Sequence, residues 1–426
     1  MTLKFKWETE FKETEIGKIP KDWEIKKIKE VGEVAGGTTP STKKKEYWDG
    51  RIPWLTPKDL RDYEYVYISR GERNITEKAV KECSLKIFPK GTVLLTTRAP
   101  IGYVAIAKNQ VTTNQGFRNI IPHKIKSEYL YYYLKNITDY LKSLAGGSTF
   151  GELTGSTLKE VLIPYPPSHE QSRIATVLSW FDDLIENKKR QNEILEKVAM
   201  AIFKSWFVDF EPFKDEEFVY NEELGKKIPK GWEVKQLGKL IKIESGGYAP
   251  QGEKYFTNGK YPFVRVKHLS NQPCINGCDF INDDAVRDYK IKLFKEGSII
   301  FQKSGESLSF ARVNILPFDC YIVNHLAIVD SAESKNLEFI YCILKNLLFE
   351  IIEERTGTAL PYMKISDIQK KMILKPPDSI LQRFHSLVEP LFQKIILNQK
   401  QITVLRKIRD ALLPKLVFGK LRVEEI

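Results

Sequence analysis

The sequence predicts an α+β protein built twice over. Two globular blocks of mixed strand and helix are each followed by one long helix, and the two helices pair antiparallel as a coiled coil. Three observations carry this reading. The stretch Pro166–Trp206 holds an apolar seam at alternating four- and three-residue spacing, and its whole context returns at an offset of 209 or 210 residues. Positive charge is concentrated in two separate blocks: residues 14–165 hold 25 Lys/Arg against 17 Asp/Glu, and residues 225–377 hold 23 against 17.

The first block is expected over residues 1–165. Its runs GTVLLTTRAPIGYVAIA, rich in Val, Ile, Leu and Thr with a turn in the middle, read as strands, and SEYLYYYLKNITDYLKSL has helical apolar spacing. A long helix is expected over 166–210. It opens with a Pro-Pro stop, a serine at a capping position and Glu170 in the first turn. Its seam runs through Ile174, Leu178, Phe181, Ile185, Lys188, Asn192, Leu195, Ala199, Ile202 and Trp206. At 1.5 Å per residue that helix would be roughly 55–60 Å long, too long to stand without a partner.

An acidic connector, 211–224, holds six Asp/Glu against one Lys. The second block, 225–377, then repeats the first. IGKIPKDWEIKKI returns as LGKKIPKGWEVKQL, AGGTTP as SGGYAP, FPKGTVLLT as FKEGSIIFQ, and PYPP as LKPP. A second long helix is expected over 378–426. Its seam falls at Phe384, Val388, Leu391, Ile395, Asn398, Ile402, Leu405, Arg409, Leu412 and Leu416. Pro390 should kink this helix or mark a fresh start. A central Asn in each seam is the kind of polar residue that fixes register at some cost in stability. Since the two seams coincide position for position, one helix is expected to be able to replace the other.

Composition narrows the function. The net charge of +12, divided between two blocks, suits a polyanion partner. No apolar run is long enough to cross a membrane, the first residues lack a signal core, and five cysteines form no paired motif, so a cytoplasmic protein with reduced thiols is expected. No catalytic site is legible. There is no glycine-rich phosphate loop, the five histidines match no metal spacing, and the acids near Asp330 and Glu333 are too closely spaced for a nuclease cluster.

What the blocks do carry is Arg, Lys, Ser, Thr and Tyr in loops between apolar strands, the residue types that hold phosphates and read base edges. In the first block these are Lys43, Lys44, Lys45, Arg51, Lys58, Thr97, Arg98, Arg118, Ser148 and Thr149. In the second they are Tyr248, Lys254, Arg265, Lys267, His268, Lys303, Ser304, Arg312 and Tyr362.

Across nearly its whole length the chain resembles the specificity subunits of type I restriction–modification systems. The residues that carry the resemblance are IPKDWE and IPKGWE opening each half, GGTTP, KGTVLLTTRAPIGYVAI followed by NQGFRNIIP, and GGSTFGEL…LIPYPPSHEQSRIATVLSWFDDLIE at the junction with the helix. The second junction keeps the layout but lacks the His-Glu-Gln triplet. The resemblance implies two target-recognition domains, each reading one half of a split asymmetric sequence in double-stranded DNA. It implies helices that act as a ruler and dock two methyltransferase subunits, which would carry S-adenosylmethionine. Separate restriction motor-nuclease subunits would use ATP and Mg. The chain itself would then be non-catalytic and free of cofactor. The alternative is a coiled-coil scaffold whose two basic end domains bind RNA or protein.

Overall fold

The computed structural model describes residues 4–61, 63, 65–98, 100–146, 151–304, 308, 310–353 and 363–425. The chain divides into two compact units, Met1–Glu186 with Leu405–Ile426, and Asn187–Val404.

In the first unit a five-stranded sheet has the order Gly32–Gly36, Phe117–Pro122, Val93–Thr96, Val104–Ala107, Tyr67–Ile68. All its pairs are antiparallel except the last, between Val104–Ala107 and Tyr67–Ile68, which is parallel. The central strand Val93–Thr96 is buried along its whole length because both of its faces are covered. Successive side chains point to opposite faces, so Val93 and Leu95 pack with the helix Ser127–Asn136 while Leu94 packs with Phe88 and Phe117. A second sheet orders Thr112–Thr113, Trp48–Leu55 and Arg73–Ile75.

The second unit repeats this plan. Its main sheet runs Glu244–Ser245, Leu326–Val329, Ile299–Gln302, Val313–Ile315, and its smaller sheet Asp279–Ile281, Tyr261–Val264, Tyr321–Ile322. Ile299 and Phe301 take the helix side and Ile300 the other, as Val93, Leu95 and Leu94 do. The repeated Pro-x-x-Trp motif also has a structural reason. Trp23 is fully buried and donates to Glu170 at 2.9 Å. Its counterpart Trp232 packs on Phe207, Phe210 and Phe213 with ring centroids 5.9, 5.6 and 5.1 Å away.

The two long helices are Ser168–Phe207 and Asp378–Val417, 40 residues each. Their pairing is antiparallel within both units. In the first, Asp182 meets Arg409 while Glu170, twelve residues earlier in the chain, meets Arg422 beyond the second helix. In the second, Asn192 accepts from Asn398 at 2.9 Å, and Lys188 donates to Gln401. The repeat-related image of that last contact, Gln191 with Asn398, is also present at 3.3 Å.

The seam is wider than a two-helix coil requires. Ile174, Leu178, Ile185, Asn192 and Ala199 are buried, as are Phe384, Val388, Ile395, Asn398, Ile402 and Leu416. Phe181, Leu195, Ile202, Leu391, Leu405 and Leu412 are only partly buried, and the residue after several of them lies deeper: Asp182, Phe203, Phe392 and Leu413. Each helix packs against its globular block as well as against the other helix, and two contacts demand a broad stripe.

The second helix runs through Pro390 without a fresh start. Pro390 is exposed, so water can reach the carbonyl it leaves unbonded, and buried Val388 and Phe392 hold the helix on either side. The helix stops at Val417. After it the chain turns at Gly419, in the left-handed region at φ +65, where a Cβ would sit 2.5 Å from a Pro20 side-chain atom. The strand Leu421–Glu425 then pairs antiparallel with Lys4–Trp7, so the end of the chain joins its beginning.

Candidate nucleic-acid interface

Both blocks place a tight turn after a strand of the smaller sheet, and the same backbone device closes each. In the first unit the turn Pro57–Leu60 is capped by Asp59, which accepts from the Thr56 amide at 2.7 Å and from the Thr56 hydroxyl at 2.8 Å. In the second, the turn Val266–His268 is capped by His268, whose Nδ1 accepts from the Arg265 amide at 2.9 Å. The framework is shared and the polar side chains on it differ.

Around the first turn, Lys58 pairs with Glu72 at 2.8 Å and both are exposed. Lys43, Lys44 and Lys45 are exposed, Lys44 lying 2.8 Å from the Tyr47 hydroxyl. Arg51 lines a surface cavity of about 670 Å³ with Glu77, Lys81 and Asn109. Thr97 is buried, and its hydroxyl and amide both donate to the Gly116 carbonyl. Arg118 is held by the carbonyls of Gln115 and Phe117 and by Glu152, whose second oxygen takes Arg98 at 2.8 Å. Ser148 and Thr149 lie outside the described residues, as does Tyr362 in the second block.

In the second unit Arg265 and Lys267 converge on Asp279, and the Arg265 guanidinium lies 5.1 Å from the centre of the Phe256 ring. Burial alone would raise the Asp279 carboxyl, but hydrogen bonds from Lys267 and Arg265 hold it below the ordinary range. Tyr248 is exposed, and Lys254 stands over the Tyr255 ring. Lys303 donates to the Ser245 hydroxyl at 2.7 Å, its ammonium lowered by burial, and Ser304 bonds the His325 ring at 2.9 Å. Arg312 donates to Asn271 at 3.0 Å and stacks over Phe310, at the edge of a cavity of about 470 Å³.

The structure thus brings Arg98 together with Arg118, and Arg265 with Lys267 and His268. The partners that unite them, Glu152 and Asp279, were not singled out in the sequence. Neither was Arg73, an exposed guanidinium 3.4 Å above Trp48. An acidic residue among many has no local signal. Glu152 stands 54 residues from Arg98, and a backbone hydrogen bond from the Leu153 amide to the Thr97 carbonyl makes them neighbours. The carboxylates of Glu244, Asp330 and Glu333 do cluster within 4.8 Å, but Lys292 reaches all three and Lys242 two of them, so the group is balanced as an ion-pair network.

His268 gives this turn a pH dependence. Burial pushes its imidazole down to about 4, against the pull of Asp279, so the folded turn holds it neutral at pH 7. The unfolded chain takes up that proton near 6.5 while the folded chain does not. Stability of the second unit should therefore fall as pH drops from about 6.5 to 4, by about 2–3 kcal/mol from this group. His268→Asn keeps an acceptor for the Arg265 amide and should flatten that part of the curve in denaturation measured at pH 7, 6, 5 and 4. An unchanged slope would remove His268 as its source.

Comparison with known proteins places these observations. A family model described as the type I restriction modification DNA specificity domain matches the chain twice, over residues 20–197 and 229–407. The MjaIX specificity subunit of a type I restriction enzyme from Methanocaldococcus jannaschii is 71% identical over 428 residues, covering 100% of this chain and 99% of that one. The MjaVIII specificity subunit of the same organism is 23% identical, covering 100% and 99%. Among solved structures, a type I restriction–modification S subunit from M. genitalium aligns at TM-score 0.51 with 20% identity, over 93% of this chain and 96% of that one. That last likeness bears on the fold.

Proposed function

The chain belongs to the family of type I restriction–modification DNA specificity subunits, and from that premise we propose that each unit reads one half of a split, asymmetric DNA target. It is the specificity subunit of a type I system, with two target-recognition domains. The observation that carries the proposal is the double match to the specificity domain, laid over two units that share a framework but differ at equivalent polar positions. Thr56 and Asp59 in one turn become Arg265 and His268 in the other, so two unlike sequences are the expected targets. The scaffold reading, with RNA or protein as partner, has no support in these comparisons.

The subunit works in assembly with the other subunits of its complex. We take these to be two methyltransferase subunits carrying S-adenosylmethionine, and motor-nuclease subunits using ATP and Mg, with the helices setting the spacer between half-sites. A repeated exposed feature supports two copies of one partner. Ile194 and Val198 on the first helix are 60% and 42% exposed, and their counterparts Val404 and Ile408 are 55% and 42% exposed. No helix among the described residues is long and apolar enough to cross a membrane. The reading places the protein in the cytoplasm with the DNA.

Selection from random duplex DNA by the purified full chain tests this. The expected product is a bipartite target with two different halves and a fixed spacer. Its affinity should drop about 10³–10⁵-fold between 50 and 200 mM salt if six to ten phosphates are neutralised. The same chain, given S-adenosylmethionine, should transfer no methyl group. Recovery of sequences with no common pattern would overturn the DNA-reading proposal, and methyl transfer the non-catalytic one.

A further inference from the structure

We propose that Arg98 and Arg265 each read a guanine, one in each half-site, and that Glu152 and Asp279 are the positioning residues that aim them. The inference rests on the DNA-reading function and names the residues and base it would use. In the first unit the aim is set in a chain of contacts. Arg118 is the anchored member, its side chain 21% exposed and fixed by two backbone carbonyls. It holds one oxygen of Glu152 at 3.0 Å, and the other oxygen holds Arg98 at 2.8 Å, whose side chain is 48% exposed. The outer arginine is thus buttressed by a carboxylate that is itself buttressed.

The second unit reaches the same end with other residues. Arg265 gives its Nε and Nη2 to one oxygen of Asp279, while Lys267 takes the other oxygen at 2.8 Å. The ring of Phe256 lies against the guanidinium. That arrangement occupies the side edge of Arg265 and leaves Nη1 and the remaining Nη2 hydrogen, the end edge of the fork, for a ligand.

The carboxylate decides between phosphate and base. A residue that only holds phosphate gains from bare charge, and an acidic neighbour at 2.8 Å weakens that attraction. A base edge carries no net charge, so what counts there is direction. A guanidinium held in one orientation offers two parallel donors, and the guanine edge, with O6 and N7, is the base edge that accepts both. The two buttressed arginines come from different loops of a shared framework, as two recognition sites for different sequences would.

The test uses the full chain on the selected target and on a panel carrying each single base-pair change. Arg98→Ala should erase discrimination at one G·C pair of one half-site, about 5- to 150-fold, and leave the other half-site as it was. Arg265→Ala should do the same for the other half. Arg98→Lys keeps the charge and should lose the discrimination. Glu152→Gln and Asp279→Asn, both near-isosteric, should leave affinity for random duplex equal or higher while discrimination at the same guanine falls. If Arg98→Ala and Arg265→Ala instead weaken binding to every sequence alike and lower the salt slope by about one, they hold phosphates and the proposal is wrong. A wild-type chain with no bipartite preference overturns the function and this inference together. A bipartite preference whose guanines survive both alanine substitutions overturns the inference alone.

Discussion

Asp182→Ala should cost the first unit about 3 kcal/mol, a loss on the scale of truncating a buried apolar side chain of the paired helices. Asp182 sits on the first long helix with 9% of its side chain exposed, opposite Arg409 of the second helix, whose side chain is 11% exposed. Its other oxygen accepts from the Tyr132 hydroxyl at 2.7 Å. Three elements therefore meet at one carboxylate. Burial opposes the charge on Arg409, and Asp182 more than restores it, so that the guanidinium is held above its ordinary range. Removing the carboxylate strands a buried cation and a buried phenol together. Arg409 keeps exposed Asp410 at 2.8 Å, which sets the loss at the low end of the range for broken buried pairs. Asp182→Asn retains an acceptor and should lose less. The pair Asp182→Leu with Arg409→Met should recover most of the stability, because matched apolar groups leave no charge stranded. Denaturant titration of the four proteins checks this, and a double variant no better than Asp182→Ala would show that the loss is one of shape.

How much of this was legible beforehand depends on whether the signal is local. The helices, their antiparallel pairing and the seam residues Ile174, Leu178, Phe384 and Val388 followed from spacing and from the repeat. Arg409 was legible as a seam position, yet not as a buried ion pair, since nothing near Asp182 distinguishes it from Asp183 beside it. The difference comes from the broad buried stripe: Asp182 faces inward because the helix also packs on the block that supplies Tyr132. Pairing of Lys4–Trp7 with Leu421–Glu425 was missed for a similar reason. The two strands lie at opposite ends of the chain, and no periodicity links them. In the recognition blocks the basic residues could be listed by type but not placed: Arg51 and Arg118, expected in loops, lie within the strands Trp48–Leu55 and Phe117–Pro122. Which cations share a carboxylate is fixed by long-range backbone pairing, Phe263 with Asp279 and Leu153 with Thr97, and that is absent from any short stretch of sequence.

The equivalence of the two seams predicts that a truncated chain, residues 1–215, pairs with itself. The structure changes the expected strength. The first unit's core takes Leu413, Leu416, Val417 and Val423 from the end of the chain. Subtracting 210 puts Phe203, Trp206, Phe207 and Phe213 in their places. Four larger aromatics would have to enter a site built for aliphatic residues, and overpacking of this kind typically costs about 1–3 kcal/mol. Opposite Asp182, Arg409 would be replaced by Ala199. Each half of a symmetric dimer would then carry an unpaired buried carboxylate. The truncated chain should therefore be largely monomeric at micromolar concentration. Ala199→Arg should restore the ion pair on both sides, and at about 3 kcal/mol per pair it should tighten the dimer by at least a hundredfold. The same substitution in the full chain should do harm, because Ala199 is fully buried there in the core of the second unit. Sedimentation of both truncated proteins, with thermal melting of the two full-length ones, separates the outcomes. A tight dimer without the substitution, or no gain with it, would mean that the seam alone governs pairing and the Asp182 contact does not.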